Sequence, residues 1–362
     1  LLLGRYLLKK IQHAFWTLLG VVTAIFFLFN VLPGDPAQMM LGQNEDQAQL
    51  AIVKQKYGFD QPVLTQYFYY LNDVSPVSFH SKDSKNYTFL KSHDYNYQSL
   101  FETSNIAVVF KYPYLRTSFT KQGKKVSQIL IETLPNTIIL AVASICIALI
   151  IGLFFGIFSA LYKDHWVDKS ILVVSTLGMS LPSFFSAILA AWIFGFLWHE
   201  YTGLEMTGSL YELDDFGEAN VLKLKNLILP AFVLGIRPLA VVTQLMRNSL
   251  LEVFNQDYIR TARAKGLSAF QVVTKHAMKN ALNPVVTAIS GWFASLLAGA
   301  VFVEYIFAWN GLGKEIVNAL NTLDLPVIMG AVLIIALTFV IINILVDIIY
   351  TFLDPKIKLN SQ

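Results

Sequence analysis

Cysteine is almost missing from this chain. Cys146 is the only one in 362 residues, so no internal disulfide can form and cysteine usage says nothing about the compartment. It falls inside an apolar run and reads as a small buried apolar residue. Charge is scarce as well: 14% of residues are charged, against ~25% in an ordinary soluble domain. The net charge is only +3, too small to imply a nucleic-acid partner. Nucleotide motifs are absent too. The nearest approach to a phosphate-binding loop, Gly311-Leu-Gly313-Lys314, has Ala308 where the leading Gly belongs and Glu315 where Ser or Thr should follow. Ile316 rules out a dinucleotide motif at the same place. The six histidines are scattered without metal-ligand spacing. These gaps leave a membrane enzyme poorly supported, and no catalytic residue, cofactor or metal is expected.

Apolar residues are what the chain has in excess. They make up 55% of it, with a mean hydropathy of +0.54, and they fall in long runs. A helix rises ~1.5 Å per residue, so crossing ~30 Å of hydrocarbon takes ~20 apolar residues. Six segments qualify: 11–31, 136–161, 170–198, 227–246, 285–308 and 326–350. Lipid cannot satisfy open backbone groups, so each is expected to be helical. The expected fold is therefore an all-α polytopic membrane protein with six transmembrane helices. The first run is long for a signal core and leads into Leu-Pro-Gly-Asp-Pro rather than a cleavage site, so it reads as a retained span.

Basic residues orient the spans. Thirteen flank one side, from Arg5, Lys9 and Lys10 through Lys163, Lys169 and the loop after the fourth span to Lys356 and Lys358; only Lys223, Lys225 and Lys314 sit in short loops on the other. The positive-inside rule then puts both termini in the cytoplasm. It divides the chain into a flank and first helix over 1–32, an extracytoplasmic loop or subdomain over 33–134, a five-helix core over 135–355 and a cytoplasmic tail over 356–362. In the long loop, Asn44 with Gln47 reads as a helix start, Gly58 as its stop, Pro62 as the start of a second helix through Tyr70, and Ile106–Phe110 as β-prone. The acidic loop 199–226 reads either as solvated outer surface or as a docking surface.

The cytoplasmic loop 247–283 is unusually structured. Residues Asp257 to Lys265 suit a short helix, Gly266 suits a left-handed stop, and Ser268 with Gln271 makes a capping box for a second helix. Pro284 then opens the fifth span. Ala262, Ala264 and Gly266 leave little bulk at this elbow, so a partner could approach closely, while Arg260, Arg263 and Lys265 can meet acidic rims. The plainer alternative is a basic loop that only obeys the positive-inside rule.

The run Asp257-Tyr258-Ile-Arg260-Thr261-Ala262-Arg263-Ala264-Lys265-Gly266-Leu267, followed by His276-Ala-Met-Lys-Asn280-Ala-Leu-Asn-Pro284, resembles the ATPase-coupling loop of bacterial ABC importer permeases of the dipeptide/oligopeptide class. The general importer motif Glu-Ala-Ala-x-x-x-Gly aligns on Arg260-Thr-Ala262 and Gly266, without the leading Glu. Other pieces follow in the family's order: Arg5-Tyr-Leu with Pro33-Gly-Asp-Pro36, Tyr57-Gly-Phe-Asp-Gln-Pro62, Leu134-Pro-Asn-Thr137, Leu177-Gly-Met-Ser-Leu-Pro182-Ser-Phe, Glu304-Tyr-Ile-Phe with Gly311-Leu-Gly313, and Asp347 with Leu353-Asp-Pro355. About 35 residues, roughly 73–110, are extra to the family pattern.

The resemblance implies a type I importer permease in the bacterial inner membrane. It implies as partners a second homologous permease chain forming a heterodimer, two ABC ATPase subunits and an extracytoplasmic binding protein that delivers peptides. ATP hydrolysis would belong to the partner subunits. The alternative function is a secondary transporter or channel working without ATPases, a class that often shows inverted repeats; no internal repeat is evident here.

Three ionisable residues in or near spans, Arg237, Glu304 and Asp347, are candidates for the pathway or for contacts between helices. Glu304 and Asp347 could instead reach the headgroup region. Gly152 and Gly156 favour close helix packing. Pro182 and Pro238 are expected to kink their helices.

Overall fold

A computed structural model of the chain describes residues 2–31, 37–38, 47–84, 86–90, 96–121, 123–214 and 216–353. Their contacts group into two compact units, one mainly Leu1–Glu132 with Glu315–Leu337, the other Thr133–Lys314 with Thr338–Asn360.

In the first unit, helix α1 (Leu2–Val31) is apolar over Leu8–Phe29. Helix α2 (Gln47–Tyr57) stops at Gly58, whose φ of 71° is the left-handed stop expected there. Helix α3 (Val63–Val74) follows Pro62 and runs four residues past the expected end. It packs on α1 through Phe26 stacked on Tyr70, ring centroids 5.8 Å apart, and through a 2.7 Å hydrogen bond between the Thr23 and Tyr67 hydroxyls. Asn44 and Pro33-Gly-Asp-Pro36 lie outside the described residues.

A three-stranded antiparallel sheet follows, with strands β1 (Val77–Ser81), β2 (Tyr97–Glu102) and β3 (Ile106–Lys111) in the order β1-β3-β2. Its two-residue alternation buries Ser78, His80, Ala107, Val109 and Lys111 and exposes Val77, Phe79, Ile106 and Phe110. The buried side is polar. Asp73, 2% exposed, accepts 3.0 Å hydrogen bonds from Arg116 Nε and the Tyr87 hydroxyl, while Lys111 Nζ donates to its carbonyl oxygen. Burial pushes the Lys111 ammonium down to about 8 and the Tyr70 and Tyr114 phenols up to about 12. In the same unit, Asp324 is 1% exposed and accepts hydrogen bonds from the backbone of Phe119 (3.1 Å) and Thr120 (3.2 Å).

The second unit holds most of the apolar helices. Helix α4 (Val126–Leu161) begins ten residues before the predicted span and passes Pro135 near its start. The predicted third span is broken. Helix α5 (Trp166–Ser180) and helix α6 (Ser183–Ala190), which continues in wider π-helical turns to Leu197, are bent by 107° at Leu181-Pro182. Pro182 has no N–H to donate and holds Leu181 extended, which ends α5 there. Strands β4 (Tyr211–Leu213) and β5 (Asn220–Leu222) form a hairpin in the acidic loop. Helix α7 (Lys225–Phe254) passes both Pro230 and Pro238 as one helix. After it come α8 (Asp257–Ala264), α9 (Ala269–Gln271) with wider turns over Val272–Ala277, and α10 (Met278–Ala281). The predicted fifth span appears as α11 (Asn283–Gly299) and α12 (Val301–Ile306). Helices α13 (Leu312–Asn321) and α14 (Leu325–Leu353) are the last described elements.

Among the described residues, four single helices are long and apolar enough to cross a membrane, and the bent pair makes up to five. No single helix of that length covers 285–308. The glycines of α4 serve packing within the chain. A Cβ on Gly152 would lie 2.8 Å from Val242 Cγ1, and one on Gly156 2.6 Å from Met246 Cβ, so α4 and α7 touch backbone to side chain. Cys146 corrects the sequence reading. It is exposed, because Ser144 and Ala148 turn the other face of α4 inward.

Candidate functional sites at two ends and a cleft of the helical unit

The elbow is built by the end of one helix and the start of the next. Ile259 and Ala262, one helical turn apart on α8, are buried against Met246, Leu250, Val272 and Ala277. Helix α8 then stops in a Schellman turn: Leu267 N–H donates to the Ala262 carbonyl (3.4 Å) and Gly266 N–H to that of Arg263 (2.9 Å), with Gly266 at φ 78°. Ser268 and Gln271 cap the next helix reciprocally, at 3.4 and 3.1 Å. The Asn280 amide donates to the Tyr258 hydroxyl at 2.8 Å, and the Arg263 guanidinium lies 5.4 Å from the Phe254 ring centre.

On this platform Asp257, Tyr258, Arg260, Thr261, Arg263, Ala264, Lys265 and Gly266 are exposed. Ala262 departs from the low-bulk outer surface read in the sequence. It is 5% exposed and turned into the core, because three residues separate it from the buried Ile259. Leu267 is half-buried beside it. Phe270, which the sequence reading passed over, is 76% exposed in the first turn after the elbow. No periodicity marks a single aromatic in a helix's first turn. Close by, Asp168 is 2% exposed and gripped by Arg247 through two bonds of 2.7 and 2.6 Å, Nε to Oδ1 and NH2 to Oδ2. Ser159 also donates to it. The sequence marked Arg247 only as a flanking charge.

The opposite end is closed by Glu304. This residue is fully buried among the chain's own residues. Its carboxylate accepts the backbone N–H of Gly313 at 2.6 Å and of Lys314 at 3.3 Å, at the start of α13. Gly311-Leu-Gly313-Lys314 is thus an anion-holding turn whose occupant is the chain's own carboxylate. A Cβ on Gly311 would lie 2.4 Å from a Glu304 oxygen and one on Gly313 2.4 Å from Val301 Cα, so only glycine fits. Two separated sequence pieces meet here. Thr137 Oγ1 accepts Leu312 N–H at 2.8 Å, the fully buried Trp309 donates Nε1–H to the Asn136 carbonyl at 3.1 Å, and the Asn136 amide reaches the Asn310 carbonyl at 2.7 Å. In the adjoining acidic loop, Glu212 accepts from Asn226 at 2.9 Å and pairs with Lys223 at 3.3 Å, so part of that charge orders the loop itself.

Between these ends Arg237 is exposed in the middle of α7 and has no hydrogen-bond or ion-pair partner among the described residues. It lines a small cleft with Gly178, Leu181, Ser183, Ser186, Trp292 and Ser295. Asp347 falls in α14, and its side chain lies outside the described residues, as do Asp354 and Pro355.

Residues 152–359 match the family described as binding-protein-dependent transport system inner membrane component, and residues 3–90 match its N-terminal counterpart. The chain belongs to this family. Along nearly its whole length it is similar to the dipeptide transport system permease protein DppB of Alkalihalophilus pseudofirmus, at 31% identity over 98% of this chain and 99% of that one. It is likewise similar to the oligopeptide transport system permease protein AppB of Bacillus subtilis, at 31% identity over 98% of this chain and 100% of AppB. Its fold is similar to a chain of the inward-facing MetNI methionine ABC transporter, with a TM-score of 0.50 and 16% identity over 63% of this chain and 97% of that one. As a member of the family the chain is a permease subunit and a multi-pass protein of the inner membrane, and its family implies separate ATPase subunits and a substrate-binding protein as partners.

Proposed function

We propose that this chain forms half of the translocation pathway of an ATP-driven importer for di- or oligopeptides, beside a second, homologous permease chain. An extracytoplasmic binding protein delivers the peptide and two ATPase subunits drive the cycle. DppB and AppB, both named for peptide transport, support the substrate class. Six spans, with 285–308 as the fifth, both termini in the cytoplasm and 33–134 outside, complete the reading. The thirteen-to-three asymmetry of basic residues in the short flanks supports that orientation. The extra segment 73–110, with its exposed Phe79 and Phe110, lies on the delivery side in this topology.

One observation carries the coupling proposal: a rigid two-helix elbow that shows basic side chains and a bare Phe270 around a glycine with open space above it. Among the described residues a Cβ at Gly266 meets nothing within 4 Å, so the elbow leaves room there for a docking partner. ATP binding shifts the permease between inward- and outward-open states only by docking on this surface more tightly in one state. The test is ATPase activity of the reconstituted complex with and without binding protein. Gly266→Val and Phe270→Ala should leave a folded chain and abolish stimulation and uptake together. Normal stimulation in both variants would remove the elbow as the transmission point. Transport that continues without ATPase subunits would favour the secondary-transporter alternative.

A further inference from the structure

We infer that the cleft at Arg237 is a carboxylate-holding station on the pathway, where the C-terminal carboxylate of a peptide in transit pairs with the Arg237 guanidinium; the inference rests on the peptide-import reading above. An arginine stays charged at any physiological pH. In the middle of an apolar helix that charge must face a watery cavity or an opposite charge. Among the described residues no side chain pairs with it. No Asp or Glu occurs over 169–199, 219–251 or 258–303, the segments that line the cleft. Arg247, ten positions further along the same helix, shows what a structural arginine looks like here: 16% exposed and gripped at both carboxylate oxygens by Asp168. Arg237 is exposed and empty-handed.

The surroundings of Arg237 suit a carboxylate. Ser183, Ser186 and Ser295 line the same cleft, beside the 107° bend at Pro182. The bend starts a new helix at Ser183 with no side-chain cap, so its first N–H groups add donors of the same sign. A guanidinium fork with hydroxyl and N–H donors is complementary to a carboxylate and repels an ammonium. A station that reads only this group accepts any peptide sequence, because the carboxylate is common to all of them while side chains vary.

The complex, reconstituted with its partners in proteoliposomes, is assayed for ATP-driven uptake of trialanine and of trialanine amide. Arg237→Gln should lower trialanine uptake about tenfold or more and leave uptake of the amide unchanged, with Arg237→Lys in between. Equal loss for both peptides would overturn the proposal. So would release of the second permease chain by Arg237→Gln during purification, which would make Arg237 half of an ion pair between chains. A second measurement is independent of import. In a Cys146→Ser background, Ser295→Cys should react about tenfold faster with an anionic than with a cationic methanethiosulfonate, Arg237→Gln should erase the preference, and trialanine but not its amide should slow labelling. If the unaltered complex imports neither peptide while this preference and protection persist, the import reading fails and the carboxylate site stands. If the preference is absent with Arg237 in place, the site falls whatever the uptake.

Discussion

The two ends of the helical unit use glycine for opposite reasons. At the elbow, Gly266 is chosen for its conformation: φ is 78° and none of the described residues lies within reach of a Cβ. At the other end, Gly311 and Gly313 are chosen for volume: a side chain at either would collide with Glu304 or Val301. One turn has open space beside its glycine, and the other is filled by the protein itself. A bound carboxylate of its own and a fully buried Trp309 make the filled end a fixed joint. The open end stays presentable because the residues beneath it, Ile259 and Ala262, are locked into the core. Glycine in a signature therefore does not mark a docking point unless the space around it is free.

The largest effect should come from the pair that holds the open end in place. Arg247→Gln leaves Asp168 buried without its partner, a loss of about 3–5 kcal/mol, and should deplete folded protein in the membrane. Thermal melting of the purified complex would show it. Next, two alanines two positions apart should separate support from surface. Ala262→Asp buries a charge in the core and should cost about 3 kcal/mol or more, whereas Ala264→Asp should leave the melt unchanged and weaken stimulated ATP hydrolysis. If both behave alike, the division into a buried and a presented face is wrong. Gly313→Ala should destabilise by about 2 kcal/mol through crowding against Val301, without a specific loss of coupling in the protein that survives. Gly266→Ala should have the smallest effect on stability, about 1 kcal/mol, since only the left-handed backbone is penalised. A melt that falls further for Gly266→Ala than for Gly313→Ala would reverse the comparison.

Local rules made much of the first unit and the elbow readable. Gly58 and Gly266 stop helices where a left-handed residue was expected, Ser268 and Gln271 form the expected box, and Ile106 opens a strand of the expected kind. The third and fifth spans were harder. Apolar length is the same for one straight helix as for two that meet at a bend, so 170–198 did not announce its 107° turn beyond the presence of Pro182. Glu304 was seen as ionisable and near a span end, but its partners lie nine and ten residues away around a turn with no period.

Composition, run length and the local chemistry of Gly, Pro, Ser and Gln were enough by themselves to determine an apolar helical membrane protein with a capped elbow, because helix spans and caps depend on near neighbours along the chain. Only the tertiary structure decided which face of each helix is spoken for. Ala262 and Ala264 look alike in sequence, as do Arg237 and Arg247, and one of each pair is buried or paired while the other is free. That difference comes from residues distant in the chain, such as Asp168 for Arg247, and contacts between distant segments leave no periodic trace in either one.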